Sequence, residues 1–454
     1  MSYKLSIVKN KMMKRIINIL ILLCCIASLS SCGNSTEERS RVLKIYNWAD
    51  YIDEDVLAEF PDWYKQQTGE DLRIIYQVFD INEIMLTKIE RGHEDFDVVC
   101  PSEYIIERML RKDLLLPIDR NFGHTPDYIP NVSPYIRHEL NKTSQPERQT
   151  EDYAVPYMWG TAGILFNKKF ITAEEAGTWD ILWDSKNRGK ILMKDSYRDA
   201  YGTAIIYAHA RELADSTVTV EQLMNDNSPE AIALAEQYLK DLKPNIAGWE
   251  ADFGKEMMTK NKAWLNLTWS GDAVWAIEEA EAVGVDLDYV VPREGSNIWY
   301  DGWAIPKYAR NVKAASYFIN YLCQPDIALR NMDAIGYVSA VATPEIMEAC
   351  FSGGVMEQCE GIPGMLFITA ANGDETSKAD VFNGEMKVWM SNRFTSTFIE
   401  QITDNKEVAM RDLYYRLFIN TVGSHVMVYN AENYGNLYSA NMSEFINFKN
   451  DKSK

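Results

Sequence analysis

Acidic and aromatic side chains recur directly after the predicted strands of this 454-residue chain. In an open α/β sheet, ligands lie beyond the carboxyl ends of the strands, because loops from several strands converge there. We therefore expect these side chains to line one crevice. They are Trp48, Asp50 and Tyr51 after VLKIY, Ser102 and Tyr104 after FDVVC, Asp195 and Asp199 after KILM, Trp269 and Asp272 after AWLNL, and Trp299 and Asp301 in NIWYDGWAIP.

This combination of side chains suits a particular ligand chemistry. Carboxylates and hydroxyls satisfy a primary ammonium, and each aromatic face that a cation approaches adds roughly 0.5–2 kcal/mol. A methylene chain between two ammoniums packs against flat indole and phenol rings. The set therefore predicts a site for a linear diamine or triamine. A sugar is the alternative, although a sugar site would more often add Asn, Gln and Arg.

The elements that must position these side chains alternate between strand and helix. VLKIY, LRIIYQVF and FDVVC read as strands, separated by the helices DEDVLAEFPDWYKQQTG and NEIMLTKIERG. We expect Asn82 to cap the second helix at its N-terminus and Gly69 to end the first. A second α/β series begins near YAVPYMWGTAGILFN, so the sequence predicts two α/β lobes.

Charge and motif content exclude several function classes. The formal net charge is −20, from 66 acidic and 46 basic residues, which disfavours nucleic acid as a partner. The chain has neither a CxxC pair nor an HExxH motif, so no metal or other cofactor is expected. Paired acids leave a glycosidase as a rival, but no G-x-S-x-G or P-loop motif accompanies them. We expect a protein that is not an enzyme.

The N-terminus has the pattern of a bacterial lipoprotein signal peptide. Basic residues precede the apolar stretch Ile16–Leu29, which is short for a bilayer span, and LSSC ends in Cys32. We expect residues 1–31 to be a signal peptide, Cys32 to carry lipid, and 32–40 to be a polar tether. The alternative is an uncleaved anchor helix.

The remaining cysteines fall into two groups. Cys100 and Cys323 lie in apolar runs and are expected to be buried thiols. Cys350 and Cys359 flank the loop-like FSGGVMEQ, and an oxidising compartment favours a disulfide between them.

Eight segments in order resemble the periplasmic spermidine/putrescine-binding proteins of polyamine ABC importers. The resemblance runs from about residue 41 to Tyr337. The segments are IYNWADYI, YQVFDINEIMLTKI, FDVVCPSEYIIERM, PYMWGTAGILFN, TWDILWD, LTWSGDAVWA, VVPREGSNIWYDGWAIP and FINYLCQPDIALRNMDAIGY.

The resemblance implies an α/β, two-lobed periplasmic-binding-protein fold of type II, with a ligand cleft between the lobes. On this basis we expect lobe 1 to comprise 41–155 and 302–336, and lobe 2 to comprise 156–301 and 337–454 with a C-terminal extension. It also implies an extracytoplasmic polyamine-binding lipoprotein, in the periplasm or at the outer cell surface. The expected partners are an ABC permease and its ATPase, and the protein is expected to be monomeric. A binding protein of the same fold for another small solute, such as a sugar, is the alternative.

The resemblance also implies roles for individual residues. Aromatic contacts with the ligand would come from Trp48, Tyr51, Trp269 and Trp299, and Tyr337 would close one end. Ser102 and Tyr104 would offer hydroxyls. Ammonium acceptors would be Asp301 as the key ion pair, with Asp50, Asp199 and Asp272.

The chain departs from the family pattern at one acidic motif. The family often shows DD-x-(R/E)-E, whereas this chain reads KDSYRDAY, so Asp199 matches the final acid and Ser196 replaces the second aspartate. Asp195 is a weak substitute for the missing acid. The chain is also longer than usual from Val338 onward.

Overall fold

The computed structural model describes residues 39–250, 253–343 and 346, together with the short strand Val426–Met427. Strands and helices alternate where the apolar patterns predict them. The strands are β1 (Val42–Trp48), β2 (Arg73–Phe79), β3 (Val98–Val99), β4 (Leu115–Leu116), β5 (Ala154–Asn167), β6 (Ile191–Lys194), β7 (Ile246–Glu250), β8 (Leu265–Trp269), β9 (Leu287–Val290), β10 (Ser296–Pro306), β11 (Val338–Ser339) and β12 (Val426–Met427).

The helices fill the connections between these strands, as expected for βαβ units. They are α1 (Glu54–Thr68), α2 (Asn82–Glu90), α3 (Glu103–Arg111), α4 (Pro134–Asn141), α5 (Ala173–Ala176), α6 (Asp180–Trp183), α7 (Tyr197–Ala208), α8 (Ala210–Ala214), α9 (Val220–Met224), α10 (Pro229–Leu242), α11 (Gly254–Thr259), α12 (Ser270–Ala282), α13 (Val312–Leu322) and α14 (Pro325–Ile335).

Local sequence signals explain where α1 begins and ends. The side chain of Asp53 accepts hydrogen bonds from the backbone N–H groups of Asp55 and Val56, which would otherwise be unpaired at the helix start. Gly69 ends the helix in the left-handed conformation, with φ of 75°, as expected for a glycine at this position. These contacts fix the direction in which the chain leaves β1.

One continuous sheet contains two parallel series of strands, which share the strands β5 and β10. The strand order is β2-β1-β3-β10-β5-β8-β6-β7, in which β1 pairs in parallel with both β2 and β3, and β6 pairs in parallel with β7 and β8. The long strand β5 pairs with β10 through Ala154–Thr161 and then with β8 through Ala162–Phe166. Two parallel series therefore meet at the antiparallel pair β5 and β10.

The predicted lobe boundaries fall inside these two shared strands. Position 155/156 lies in β5, and position 301/302 lies in β10, where the register with β5 shifts between Asp301 and Gly302. The strand β11 falls within the range 337–454 that is predicted for lobe 2. It pairs with Trp159 and Met158 of β5, in the sheet that also contains β1. The division into lobes by residue number stays a prediction.

The core follows the apolar residues of both series. Cys100 and Cys323 are both buried, as the sequence predicts. The buried face of α13 includes Phe318, which packs edge-on against Phe60 of α1 and Trp303 of β10. Within the described part of the chain, none of the helices combines the length and apolarity that a bilayer span requires.

Candidate ligand-binding site

One cavity of about 840 Å³, including its opening to solvent, lies where the two series of strands meet. Its lining comes from the residues at and after the ends of β1, β2 and β3, from α3, α7 and α12, from β8 and β10, and from Tyr337 after α14. The eleven predicted ligand-binding residues all lie in this lining: Trp48, Asp50, Tyr51, Ser102, Tyr104, Asp199, Trp269, Asp272, Trp299, Asp301 and Tyr337. Their convergence agrees with the strand-end argument, while their contact with a ligand stays a prediction.

Aromatic rings form a connected wall of the cavity. Trp269 contacts Trp48 and Trp299 at centroid distances of 6.2 and 6.0 Å, and Trp299 contacts Tyr337 at 6.4 Å. Tyr337 in turn lies 5.1 Å from Tyr51. All four contacts are edge-to-face, the arrangement that aromatic pairs prefer over a face-to-face sandwich.

Two glycines make room for this wall. A Cβ atom at Gly271 would lie 2.0 Å from the ring of Tyr337, and one at Gly160 would lie 2.6 Å from Trp299. Real Cβ contacts are never this short, so the rings can occupy these positions only because both residues lack a side chain.

Asp301 provides a buried carboxylate beside the aromatic wall. Its Oδ2 atom accepts a hydrogen bond of 2.8 Å from the hydroxyl of Tyr51, whereas Oδ1 has no hydrogen-bond partner among the described residues. Burial raises the pKa of Asp301 to about 6, and the nearby hydroxyls of Ser102 and Tyr51 limit the rise. A buried carboxylate oxygen without a partner is costly, so this atom is suited to receive a cationic donor.

Glu103 lies next to Asp301 and was missed by the sequence argument. It accepts a hydrogen bond of 2.9 Å from the backbone N–H of Tyr300. Burial raises its pKa to about 8, and the charge of Asp301 adds to this effect. Glu103 is therefore mostly protonated at neutral pH.

The predicted N-cap role of Asn82 is wrong. The residue before α2 is Ile81, and the side chain of Asn82 instead donates to the hydroxyls of Ser102 at 2.9 Å and Tyr104 at 2.6 Å. The hydrogen bond from Tyr104 to Glu83 completes this buried network. Asn82 therefore orients the hydroxyls of Ser102 and Tyr104, two residues that the sequence predicts in the site.

The acids on the second series are held in different ways. Asp199 is buried in the first turn of α7 and accepts a hydrogen bond of 3.2 Å from the indole N–H of Trp269. Asp272 accepts hydrogen bonds from the ammonium of Lys194 at 2.9 Å and from the hydroxyl of Tyr337 at 3.3 Å. Asp272 therefore already has a cationic partner within the protein.

Asp50 lies at the rim of the cavity. Its φ of 49° is in the left-handed region, which aspartate tolerates better than most residues. Its side chain is 68 % exposed and forms an ion pair of 3.1 Å with Lys255. An exposed pair of this kind contributes little, so Asp50 is the weakest of the predicted ammonium acceptors.

The two residues at the departure from the family motif do not line the cavity. Ser196 is the N-cap of α7, because its hydroxyl accepts the backbone N–H of Asp199 at 3.4 Å. The backbone N–H of Asp195 donates to Glu250 in the neighbouring strand. The substitution of Ser196 for an acid therefore leaves a capping residue at this position.

Six lining residues were not predicted. Asn297 could have been predicted from the sequence. Every second residue of a strand points to the same side, so Asn297 shares one face of β10 with Trp299 and Asp301. The guanidinium of Arg198 stacks on the ring of Tyr104, with 3.6 Å from Cζ to the ring centroid. The six are Ala49, Phe79, Asp80, Glu103, Arg198 and Asn297.

Some predicted features fall outside the described residues. They are the signal peptide, the tether and the lipidated Cys32 at one end of the chain, and the disulfide between Cys350 and Cys359 at the other. Within the described ranges, no group of three or more metal-binding side chains is present.

Two family models match the chain. The model described as bacterial extracellular solute-binding protein matches residues 62–345, which is more than half of the chain. The model of the peptidase C13 family matches residues 329–445, a range that lies mostly outside the described residues.

Curated relatives include two from Escherichia coli strain K12. The putrescine-binding periplasmic protein PotF is 30 % identical over 316 residues, which cover 67 % of this chain and 80 % of that protein. The spermidine/putrescine-binding periplasmic protein is 29 % identical over 299 residues, covering 66 % of this chain and 77 % of that protein. The resemblance drawn from eight sequence segments is thereby confirmed.

Solved structures with a similar fold include the spermidine/putrescine ABC transporter substrate-binding protein PotD of Streptococcus pneumoniae. It has a TM-score of 0.56 and 25 % identity, and the match covers 90 % of this chain and 99 % of that one. The Tp0655 (TpPotD) lipoprotein of Treponema pallidum has a TM-score of 0.53 and 26 % identity, covering 65 % and 84 % of the two chains. These neighbours confirm the two-lobed periplasmic-binding-protein fold.

Proposed function

The chain belongs to the bacterial extracellular solute-binding protein family, and from this premise we propose that it binds a linear polyamine, such as putrescine or spermidine, and delivers it to an ABC importer. The observation that carries the proposal is the position of Asp301. Its buried carboxylate has one unpartnered oxygen and lies in a cavity walled by the rings of Tyr51, Trp299 and Tyr337. Relatives with this fold are named for putrescine and spermidine binding.

The geometry meets both needs of such a ligand. An ammonium can donate to the Oδ1 atom of Asp301, and the intervening methylenes can cover the ring faces of the aromatic wall. A neutral sugar would offer no cationic donor to the unpartnered oxygen of Asp301, which disfavours the alternative ligand class.

Ligand binding and lobe closure are coupled through the same carboxylates. Closing the cleft without a cation would bury Asp301 and Asp199 as unpaired charges, at a cost of several kcal/mol per ion. A bound ammonium removes this cost, so the ligand favours the closed form by its differential affinity for that form. Binding in the micromolar range needs about −8 kcal/mol, which one or two charge-assisted pairs with ring stacking can supply.

Isothermal titration calorimetry tests the ligand class. The purified protein is titrated with putrescine, with spermidine, and with a panel of neutral mono- and disaccharides as the matched control. We expect saturable binding of at least one polyamine and no heat above dilution for the sugars. Sugar binding in the absence of polyamine binding would overturn the proposal.

Location and partners follow from the same family. The relatives are periplasmic binding proteins, which supports an extracytoplasmic location for this chain. We further propose that lipid on Cys32 anchors the protein to a membrane surface, and that a permease with its ATPase receives the ligand from the monomer. The name of the Treponema pallidum neighbour, a lipoprotein, supports the anchor.

A second candidate function concerns the C-terminal part of the chain alone. The match of residues 329–445 to the peptidase C13 family favours peptide-bond hydrolysis as the alternative to a purely binding role. We propose that the protein is a binding protein without peptidase activity. Incubation with a mixture of unstructured peptides, followed by mass spectrometry, is expected to show no cleavage. Cleavage that is lost in Cys350→Ser or Cys359→Ser would establish the second function.

A further inference from the structure

Lys194 is a buried cation directly behind the cavity wall. It is the last residue of β6, and its side chain is 1 % exposed. Its ammonium lies 2.9 Å from Asp272 and 3.2 Å from Glu250, a second carboxylate that is also 1 % exposed. The same ammonium lies 4.1 Å from the ring centroid of Trp269. Lys194 therefore contacts two lining residues, Asp272 and Trp269, without lining the cavity itself.

The contacts keep this lysine charged. Burial alone would lower the pKa of Lys194, but the carboxylates of Asp272 and Glu250 outweigh burial and hold the pKa above its ordinary value. Glu250 is fixed in turn by the backbone N–H of Gly254, which donates to its Oε2 atom at 3.0 Å. A permanent positive charge thus lies next to one of the six acids of the cavity.

The remaining acids differ in what they can offer to a cationic ligand. Glu103 is mostly protonated at neutral pH, because its pKa is about 8. Neither Asp199 nor Asp301 forms an ion pair within 4.0 Å in the described ranges, and the one lining cation, Arg198, acts on Asp301 only through its charge, which lowers the pKa of Asp301. Of the six lining acids, Asp272 is paired with Lys194 and Asp50 with Lys255. Glu103 is largely neutral, and Asp80 is exposed at the rim. Asp199 and Asp301 are the two that remain, and both are buried.

We propose that Lys194 is a specificity-determining residue that makes this site prefer a diamine to a triamine. By pairing with Asp272 from behind the wall, its ammonium neutralises one carboxylate of the cavity. Two buried carboxylates, Asp199 and Asp301, then remain for two ammoniums. A third ammonium near Asp272 would have to compete with Lys194 for that carboxylate, and would gain less there than at an acid without an ion-pair partner. This inference rests on the proposed polyamine-binding function.

Calorimetry with putrescine and spermidine on four proteins tests the proposal. They are the wild type, Lys194→Met, the double variant Lys194→Met/Glu250→Gln, and the control Lys190→Met. The double variant removes one positive and one negative charge, so Asp272 is released while the net charge of the cluster is kept. Lys190 is the matched control because its ammonium also lies over an indole, 5.3 Å from the ring centroid of Trp264, and does not contact the cavity.

The readout is the ratio of the two dissociation constants, which general destabilisation would not move. We expect the wild type and Lys190→Met to bind putrescine more tightly than spermidine. In the two Lys194 variants we expect the ratio to shift towards spermidine by about tenfold or more, the scale of a close charge pair at an interface. A ratio unchanged within twofold, in variants that bind putrescine, overturns the proposal for Lys194.

The wild-type comparison keeps the proposal falsifiable if the variants do not fold. Equal or tighter binding of spermidine by the wild type overturns the preference without reference to any variant, and the polyamine-binding function then still stands. Failure of the wild type to bind either polyamine overturns the function itself, and this inference with it.

Discussion

At the scale of single residues, the site depends on a carboxylate that is buried with half of its hydrogen-bonding capacity unused. The hydroxyl of Tyr51 satisfies one oxygen of Asp301, and no described residue donates to the other. A carboxylate in this state is stabilised by a cation more than an exposed one would be, because water does not compete for it. Asp301 is therefore the residue whose removal should cost most affinity.

Asp301→Asn should weaken putrescine binding by about 100-fold, equivalent to roughly 3 kcal/mol, because the amide cannot neutralise an ammonium. The amide has nearly the same shape, so the fold should be retained. Calorimetry measures the affinity, and Asp326→Asn, at an exposed position in the first turn of α14, is the control. Equal affinities of the wild type and Asp301→Asn would remove Asp301 from the site.

The pH dependence of binding has a predictable sign. Since burial raises the pKa of Asp301 to about 6, the carboxyl is mostly charged at pH 7 and mostly protonated at pH 5. Primary amines stay protonated throughout this range. Only the charged carboxylate pairs with an ammonium, so the dissociation constant for putrescine should rise about tenfold as the pH falls from 7 to 5.

Measuring the pH dependence of putrescine binding by Asp301→Asn separates the effect of the Asp301 carboxyl from that of other titratable groups. The variant lacks the titrating carboxyl of Asp301. Its dissociation constant for putrescine should be larger than that of the wild type, but should change less between pH 7 and pH 5. A parallel change in both proteins would assign the pH dependence to a different group.

At the scale of elements, the site is assembled by strand ends and by the two shared strands. The alternation of residues along β10 places Asn297, Trp299 and Asp301 on one face, and that face lines the cavity. The helix α12 can approach Tyr337 closely because its second residue is Gly271. Local sequence choices thus control how near the elements come to each other.

Gly271→Ala should disturb the aromatic wall. Alanine normally stabilises a helix relative to glycine by up to about 1 kcal/mol, but here its Cβ would lie 2.0 Å from the ring of Tyr337. We expect a net loss of roughly 1–3 kcal/mol in the free energy of unfolding, together with weaker putrescine binding.

Denaturant unfolding and calorimetry on Gly271→Ala check both effects. Gly248→Ala is the matched control, because a Cβ at Gly248 in β7 would make an ordinary contact of 3.6 Å with Leu192. The control should bind putrescine like the wild type. If Gly271→Ala were as stable as the wild type and bound equally well, the close packing of α12 against Tyr337 would not matter for the site.

At the scale of the whole molecule, the acidic net charge of −20 suits a protein that binds cationic ligands, and we propose that it does so at a membrane surface. The lipobox-like LSSC would keep the folded body at that surface, where it can meet a permease. The segment that follows, GNSTEERS, is short and polar. The proposed anchor depends on one cysteine, so it can be tested without altering the binding site.

Cys32→Ala should release the protein from the membrane fraction. Cleavage and lipidation at a lipobox require the cysteine, so the variant should lose metabolic labelling by palmitate and partition into the aqueous phase of Triton X-114. Cys25→Ala is the control, because Cys25 follows another cysteine and a leucine and fits the lipobox pattern poorly. Labelling that persists in Cys32→Ala would refute the assignment.

The sequence by itself determined the order of strands and helices and the residues that gather at their ends. Both follow from local rules: apolar periodicity selects strand or helix, and the carboxyl ends of parallel strands share one edge. This is why Trp48, Ser102, Trp269 and Asp301 could be placed in one site without coordinates. Ser196 shows the limit of motif matching, since its position in the family motif suggested an acid whereas its hydroxyl caps a helix.

Only the tertiary structure decided which of the acids are already paired. Lys194 and Asp272 are 78 positions apart, and Asn82 is 20 and 22 positions from its partners Ser102 and Tyr104. Burial and charge partners set the state of a carboxylate, and both depend on residues distant in the chain. The pKa of Glu103, raised to about 8, and the buried pairing of Lys194 therefore arise from packing, which residue types and spacing do not encode locally.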